Sequence, residues 1–319
     1  MGFLPHQMVV QKVGFLFPGQ GAQYVGMGKD GAQQFAKAKN IFEEADRLLG
    51  YSLSRFCFEG PEDTLTRTLY AQPAIFVTSL ALLSILKERR PDLKPDFVAG
   101  LSLGEFSALA ASGSLSFSEG LRLVHIRAEA MEKAASRSDG VMISILGLSH
   151  DDCIKLAKES GAEIANLNAP DQFVLSGKKN LLEEAAELAE GMGAKRVIHL
   201  KVGGAFHSSL MEPAKAQFSD ALRKIKLHSP CCLFASNVSA KGESDPERIL
   251  ILLAEQLTHP VRWIETMIYA REHGIRRFIE IGPGRVLKGL VKKIDPTLEV
   301  MNLGKVSDFE TLDTSLEKV

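Results

Sequence analysis

The residues with the clearest chemical capacity lie in Gly100-Leu101-Ser102-Leu103-Gly104, where a hydroxyl has a glycine two positions away on either side. An apolar run, Phe97-Val98-Ala99, leads into this stretch, and Glu105 to Ala111 favours helix. Strand, Gly-x-Ser-x-Gly and helix in that order is the sequence form of a nucleophile elbow. Cβ atoms beside so sharp a turn would collide, which calls for the glycines, and the strain holds the serine oxygen outward. The following helix aims its N–H groups and the positive end of its dipole at the same place. A five-residue match can also be an ordinary Gly-flanked turn; the strand before it and the helix after it favour the elbow.

A nucleophilic serine needs a base, and the chain has eight histidines. His207 stands in Gly203-Gly204-Ala205-Phe206-His207-Ser208-Ser209-Leu210-Met211-Glu212. Ser209 and Glu212 have capping-box spacing, which predicts a helix starting just after His207. The positive end of that helix would disfavour imidazolium, and the neutral ring is what a general base requires. Arg127 is the third candidate. It sits at the edge of an apolar stripe formed by Leu121, Val124, Ala128, Met131 and Ala135, in a helix opened by the capping pair Ser116 and Glu119. Its stem can follow the apolar surface with the head in water. Alternatively, its planar fork turns into a cleft and captures a carboxylate.

The elements that must position these groups alternate. Val13 to Phe17 reads as a buried strand ending in Pro18-Gly19-Gln20-Gly21-Ala22-Gln23, a Gly- and amide-rich loop without the Lys-Ser/Thr ending of a phosphate-binding loop. Helical periodicity covers Ala32 to Leu49. Pro73 reads as the first residue of an apolar helix reaching Leu86, too short to span a bilayer. Arg277 to Ile281 is a strand running into Gly282-Pro283-Gly284, followed by a helix from Val286. Strands alternating with helices indicate α/β with a largely parallel sheet, whose loops at the strand C-termini build the site.

Between residues 138 and 203 the order becomes βαββαβ: strand Val141 to Leu146, helix Asp151 to Ser160, strands Glu163 to Leu167 and Gln172 to Ser176, helix Leu181 to Met192, strand Arg196 to Val202. That order describes a ferredoxin-like unit. It is expected as a small domain, 138–203, inserted into a core made of 1–137 and 204–319. Trp263 is expected in the core after His259-Pro260, and the chain from Asp308 onward as a loosely held tail.

Composition narrows the classes. With 319 residues, 45% hydrophobic and 24% charged, the chain can bury a sizeable core, and a formal charge of -1 gives no global case for nucleic acid or an anionic membrane. Cys57, Cys153, Cys231 and Cys232 form no C-x-x-C and pair with no histidine at zinc-ligand spacing, so reduced thiols and no metal are expected. Residues 1–8 lack the basic and apolar regions of a signal peptide. A cytoplasmic protein is the simplest expectation.

Taken together, Phe17-Pro18-Gly19-Gln20-Gly21-Ala22-Gln23, Gly100-x-Ser102-Leu103-Gly104-Glu105, Arg127 with Met131, Asn168-Ala169-Pro170, Gly204-Ala205-Phe206-His207-Ser208, Glu255-Gln256-Leu257 and Gly282-Pro283-Gly284 occur in an order that resembles the malonyl-CoA:acyl carrier protein transacylases of type II fatty acid synthesis. The resemblance runs from about Val13 to about Asn302, and the ordered set carries it where no single motif would. It implies an acyltransferase fold: an α/β-hydrolase-like core with a ferredoxin-like insert and the site in the cleft between them. It further implies Ser102 as nucleophile, His207 as base and a main-chain carbonyl at Gln256 orienting the ring. Backbone N–H groups of Gln20 and Leu103 would form the oxyanion hole. Arg127 would hold the malonyl carboxylate, with Phe206, Met131 and Asn168 completing the acyl pocket.

The implied reaction is ping-pong transfer through a malonyl-serine ester. It needs no metal or redox cofactor and takes malonyl-CoA and acyl carrier protein as partners; a monomer is expected, though not from the resemblance. The chain departs from the family pattern at Leu101, where histidine is usual, at Ala128, where glycine is common, and at Gly203, where serine is frequent. Leu101 matters most, because losing a neighbouring imidazole could alter rate or pH dependence. A serine hydrolase, a transacylase of other acyl choice, or a carrier-binding module without catalysis are the competing readings. Lys195, Arg196 and Lys201 are docking candidates by charge, or a solvated strand face.

Overall fold

The structure, a computed structural model, describes residues 12–317. The opening segment read for a signal peptide lies outside them. Its strands in chain order are β1 (Val13–Phe17), β2 (Phe97–Gly100), β3 (Gly140–Leu146), β4 (Glu163–Ala169), β5 (Gln172–Lys178), β6 (Arg196–His199), β7 (Leu233–Ala235), β8 (Gly242–Glu243), β9 (Arg277–Ile281) and β10 (Glu299–Leu303).

Two sheets result. The larger has the order β10-β9-β1-β2-β7-β8, parallel throughout except where the two-residue β8 pairs antiparallel with β7. β1 and β2 are buried at every position, as expected of strands covered by helices on both faces. The smaller sheet has the order β4-β5-β3-β6, antiparallel throughout, with helices His150–Ser160 and Lys179–Gly191 packed on it. Val261, far along the chain, ties a loop of the core to the small sheet: its N–H donates to Ala165 O at 2.8 Å and its carbonyl accepts from Leu167 N–H at 2.9 Å.

Several elements differ from their sequence reading, each for a tertiary reason. The apolar helix runs Thr68–Arg89, with Pro73 inside it and not at its start. Glu132, from the neighbouring helix, accepts the N–H of Leu69 at 2.9 Å and so supplies the missing N-terminal partner. An interior proline costs about 3 kcal/mol. Full burial of Ile75, Phe76, Val77, Leu82 and Ile85, at roughly 1.5–3 kcal/mol each, outweighs it. At 22 residues this helix is long and apolar enough to cross a membrane; 83% of its apolar window is buried inside the protein, which makes it a core helix.

The expected Ala32–Leu49 helix is broken into Lys29–Gln34 and Ala36–Leu49 by Phe35, which is extended. Asn168 and Ala169 belong to β4, leaving Pro170-Asp171 as the hairpin turn, and β6 stops at His199. The segment from Asp308 is no loose tail: it forms helix Asp308–Glu317, buries Phe309 and Leu312, and is held by ion pairs from Arg89 and Arg90 to Asp313. The four cysteines are not disulfide-bonded, and Trp263 is fully buried.

Candidate active site

Ser102 lies just past the end of β2, at the start of helix Gly104–Ala111, with φ at 53°. A non-glycine residue there is strained, and strain of this kind concentrates at functional sites. The two glycines are required sterically. A Cβ on Gly100 would lie 1.9 Å from Gly104 C, and one on Gly104 would lie 2.1 Å from Phe17 O. Asn237, two residues after β7, pins the turn: its Oδ1 accepts Ser102 N–H at 2.6 Å and its Nδ2 donates to Gly100 O at 2.7 Å.

His207 also has a left-handed backbone, with φ at 57°. The capping box expected after it does not form. Glu163, on β4, takes both the N–H and the hydroxyl of Ser209, so a carboxylate of the small sheet fixes the loop. A short 3-10 turn, Ser209–Met211, then precedes helix Glu212–Leu222. The His207 ring faces the elbow, with Nε2 2.9 Å from Ser102 Oγ and Nδ1 2.7 Å from the backbone carbonyl of Gln256. A carbonyl only accepts, so Nδ1 carries the proton and Nε2 presents a lone pair to the serine hydroxyl. Burial, reinforced by the Arg127 charge, pushes the imidazole down to about 4. The ring is therefore neutral at pH 7, through desolvation and Arg127 and not through the helix end suggested by the sequence.

Arg127 takes the second of its two readings: it is 0% exposed and turned inward from helix Phe117–Ala135, whose Ser116 cap forms as expected. Its guanidinium donates to Gln72 Oε1 at 2.7 Å, Ser102 Oγ at 2.9 Å and Gln256 Oε1 at 2.8 Å. Its buried Nε has no hydrogen-bond partner among the described residues. Burial lowers the group to about 10, so it remains a cation at pH 7.

These groups line a cavity of about 280 Å³ between the two sheets. Gln20, Ser102, Arg127, Met131, Phe206 and His207 line it from the core side, and Met142, Asn168 and Val174 from the small sheet. The Leu101 side chain and the Val286 and Leu290 side chains of helix Val286–Ile294 form part of its wall. Leu103 and Gln256 stand just behind it, both fully buried. Clefts of about 750 and 580 Å³ elsewhere on the surface are lined by no histidine among the described residues. The Ser102 N–H is taken by Asn237, whereas the amides of Gln20 and Leu103 have no acceptor among the described residues. Lys195, Arg196 and Lys201 are exposed and do not line the cavity.

Three contributors had no role in the sequence reading: Gln72 and Asn237, which it did not single out, and Glu105, which it named only as the end of the elbow motif. Glu105 is fully buried and accepts from Asn237 N–H at 2.6 Å and from Gln256 Nε2. Burial raises its carboxyl to about 7, opposed by those donors. The adjacency of Glu105 to the Gly-x-Ser-x-Gly stretch is the local signal it carries, and its partners Asn237 and Gln256 lie far along the chain.

The acyl transferase domain family matches residues 14–303. The malonyl CoA-acyl carrier protein transacylase of Bacillus subtilis (strain 168) is 42% identical over 313 residues, covering 97% of each chain. The solved acyl-carrier-protein-S-malonyltransferase of Bartonella henselae superimposes with a TM-score of 0.92 at 39% identity, covering 96% of this chain and 100% of that one. A malonyl-transacylase solved in complex with its type II PKS acyl-carrier protein gives 0.92 at 36% identity, with 97% and 100% covered. With its elbow serine, facing histidine and inward arginine in one cleft, the chain belongs to the acyl transferase domain family, among the malonyl-CoA:acyl carrier protein transacylases.

Proposed function

We propose that this acyltransferase moves the malonyl group of malonyl-CoA to the phosphopantetheine thiol of acyl carrier protein, supplying extender units for fatty acid synthesis. The observation that carries the reading is the buried Arg127 cation, 2.9 Å from Ser102 Oγ and with Nε unpartnered. A malonyl ester on Ser102 ends in a carboxylate two C–C bonds, of about 1.5 Å each, beyond the ester carbon. The guanidinium fork lies within that reach.

His207 Nε2 takes the hydroxyl proton of Ser102 as Oγ attacks the thioester carbon. Backbone N–H groups of Gln20 and Leu103 hold the oxyanion. The C–S bond breaks, His207 returns the proton to the CoA sulfur, and the malonyl ester remains. The carrier thiol then repeats the sequence in reverse: its proton goes to His207, its sulfur attacks the ester, and Ser102 Oγ recovers the proton. Every step is proton transfer and acyl exchange, so the reaction balances without a metal or redox cofactor. Gln256 O orients the ring, while Phe206, Met131 and Asn168 bound the acyl group. With leucine at 101, His207 is the only imidazole lining this cavity among the described residues.

We also divide the chain into a core, 1–137 with 204–319, and a ferredoxin-like insert, 138–203. The separate second sheet, with its own apolar core around Ile143, Phe173, Leu175 and Leu182, supports this. We further propose a monomer working in the cytoplasm; that the exposed large apolar side chains are few and mostly far apart in sequence, such as Ile154, Ile198 and Ile251, supports the monomer.

The depressed His207 makes a pH prediction. Its neutral form is the base, so reaction of Ser102 with an uncharged serine-directed phosphonate should stay level below the ordinary histidine range and fall as pH drops through about 4. A midpoint near the usual value of about 6.5 would contradict the burial argument.

The acceptor is tested by isolating the malonyl-enzyme and adding holo acyl carrier protein. Malonyl-carrier should form at once, and the apo carrier, lacking the thiol, should be inert. Release of malonate to water at the same rate with or without carrier would make the protein a hydrolase.

A further inference from the structure

Among the described residues, Glu105 is the acidic group tied by hydrogen bonds into the Ser102–His207–Arg127 constellation, and it reaches Arg127 at one remove. One of its oxygens accepts from Asn237 N–H at 2.6 Å and the other from Gln256 Nε2. Gln256 then offers Oε1 to Arg127 at 2.8 Å and its backbone carbonyl to His207 at 2.7 Å. Arg127's own hydrogen-bond partners are the neutral Gln72, Ser102 and Gln256. Glu105 and the Arg127 guanidinium are thus both fully buried and separated by a single amide, and with the carboxyl raised to about 7 the ionised form that faces Arg127 predominates above neutral pH.

This spacing has a consequence for an anionic substrate. A carboxylate bound directly to Arg127 would fill its fork and leave no matched pair of donors for a second one. A buried guanidinium with no counter-charge would be strongly destabilising. The interposed amide avoids both: attraction persists across a low-dielectric interior, and Arg127 keeps its Nε–H and one Nη1–H outside the hydrogen bonds to Gln72, Ser102 and Gln256.

Donor and acceptor counting adds a second constraint. Two N–H groups and the Ser236 hydroxyl converge on Glu105, and an ionised carboxylate meets the two N–H groups with two acceptor oxygens and no donor. A glutamine at this position would turn an NH2 toward either Asn237 N–H or Gln256 Nε2. If the Gln256 amide flipped in response, its NH2 would face Arg127 and push the guanidinium from its position.

We propose that Glu105 is a positioning residue for the anionic acyl group, acting as the counter-charge of Arg127 held one amide away and fixing Gln256 so that Arg127 stays aimed at the acyl site. The inference rests on Arg127 as the holder of the malonyl carboxylate.

The test compares Glu105→Gln with wild type for acyl-Ser102 formation from malonyl-CoA and from acetyl-CoA, with thermal melting and Arg127→Ala alongside. The malonyl-to-acetyl ratio of kcat/KM is expected to fall about tenfold or more, carried by malonyl KM, as follows from leaving buried donors mismatched. Equal losses on both substrates, with or without a lowered Tm, would make Glu105 merely structural and overturn the proposal; so would an unchanged ratio.

Should Glu105→Gln fail to fold, the double variant Glu105→Gln/Gln256→Glu restores the charge but sets it directly against Arg127. Its ratio is expected to be at least as low as the tenfold fall, and a wild-type ratio would overturn the proposal. If Arg127→Ala itself leaves the ratio unchanged, the Arg127 assignment fails and this inference with it. If Arg127→Ala collapses the ratio and Glu105→Gln does not, only this inference fails.

Discussion

Arg127→Ala is expected to lower malonyl loading of Ser102 by about 10²- to 10³-fold in kcat/KM, corresponding to roughly 3–4 kcal/mol for leaving one partner of a buried charge pair alone. Acetyl loading should change far less, because acetyl presents no carboxylate. The asymmetry follows from where the guanidinium sits. It is fully buried, so water cannot replace it, and it approaches the serine oxygen to 2.9 Å, so it meets whatever the acyl chain carries next. Arg127→Lys should recover only part of the loss, since an ammonium is a point charge without the planar two-donor fork. Single-turnover CoA release from malonyl-CoA and acetyl-CoA measures both. Equal losses on the two substrates would make Arg127 a packing residue.

The second large effect is expected from His207→Ala. Positioned general base catalysis contributes about 10²- to 10⁴-fold, and loss of a nucleophile's own base sits at the upper end. Malonyl-CoA binding should be little changed, because the carboxylate is held by Arg127. The loss should appear in the rate of acylation at saturating substrate and not in KM. The arrangement is specific: Gln256 O at 2.7 Å holds the Nδ1 proton, which leaves Nε2 as the only nitrogen able to take the proton of Ser102. A variant retaining a tenth of the wild-type acylation rate would remove His207 from the proposed mechanism.

The parts of this site that could be read from sequence are those whose constraint is local. The elbow is one: the collision that excludes a Cβ at Gly100 involves Gly104, four residues away, so the steric demand is written in five letters. The Ser116 cap and the alternation from Gly140 to His199 are others, since capping spacing and periodicity are properties of a single segment.

What could not be read is set by contacts across the chain. Asn237 meets Ser102 from 135 residues away, and Gln256 meets Glu105 from 151. The helix at Thr68 starts where Glu132 completes it, which hid its true beginning behind Pro73. The side chain of Arg127 had two allowed directions on its helix, and only packing against the elbow chose the inward one. In the same way, Glu163 displaced the expected local cap of Ser209, and the buried Phe309 and Leu312 turned an expected tail into a helix. Local chemistry named the nucleophile, while the groups that hold it in position come from helices and loops that only the fold brings together.

The most direct test of the central claim is the intact mass of the protein after incubation with malonyl-CoA and no carrier protein, with Ser102→Ala treated alongside. The account predicts one malonyl adduct on the wild type, none on the variant, and its disappearance on addition of holo acyl carrier protein. An adduct of equal yield on Ser102→Ala, or malonyl transfer to the carrier by that variant at the wild-type rate, would contradict it.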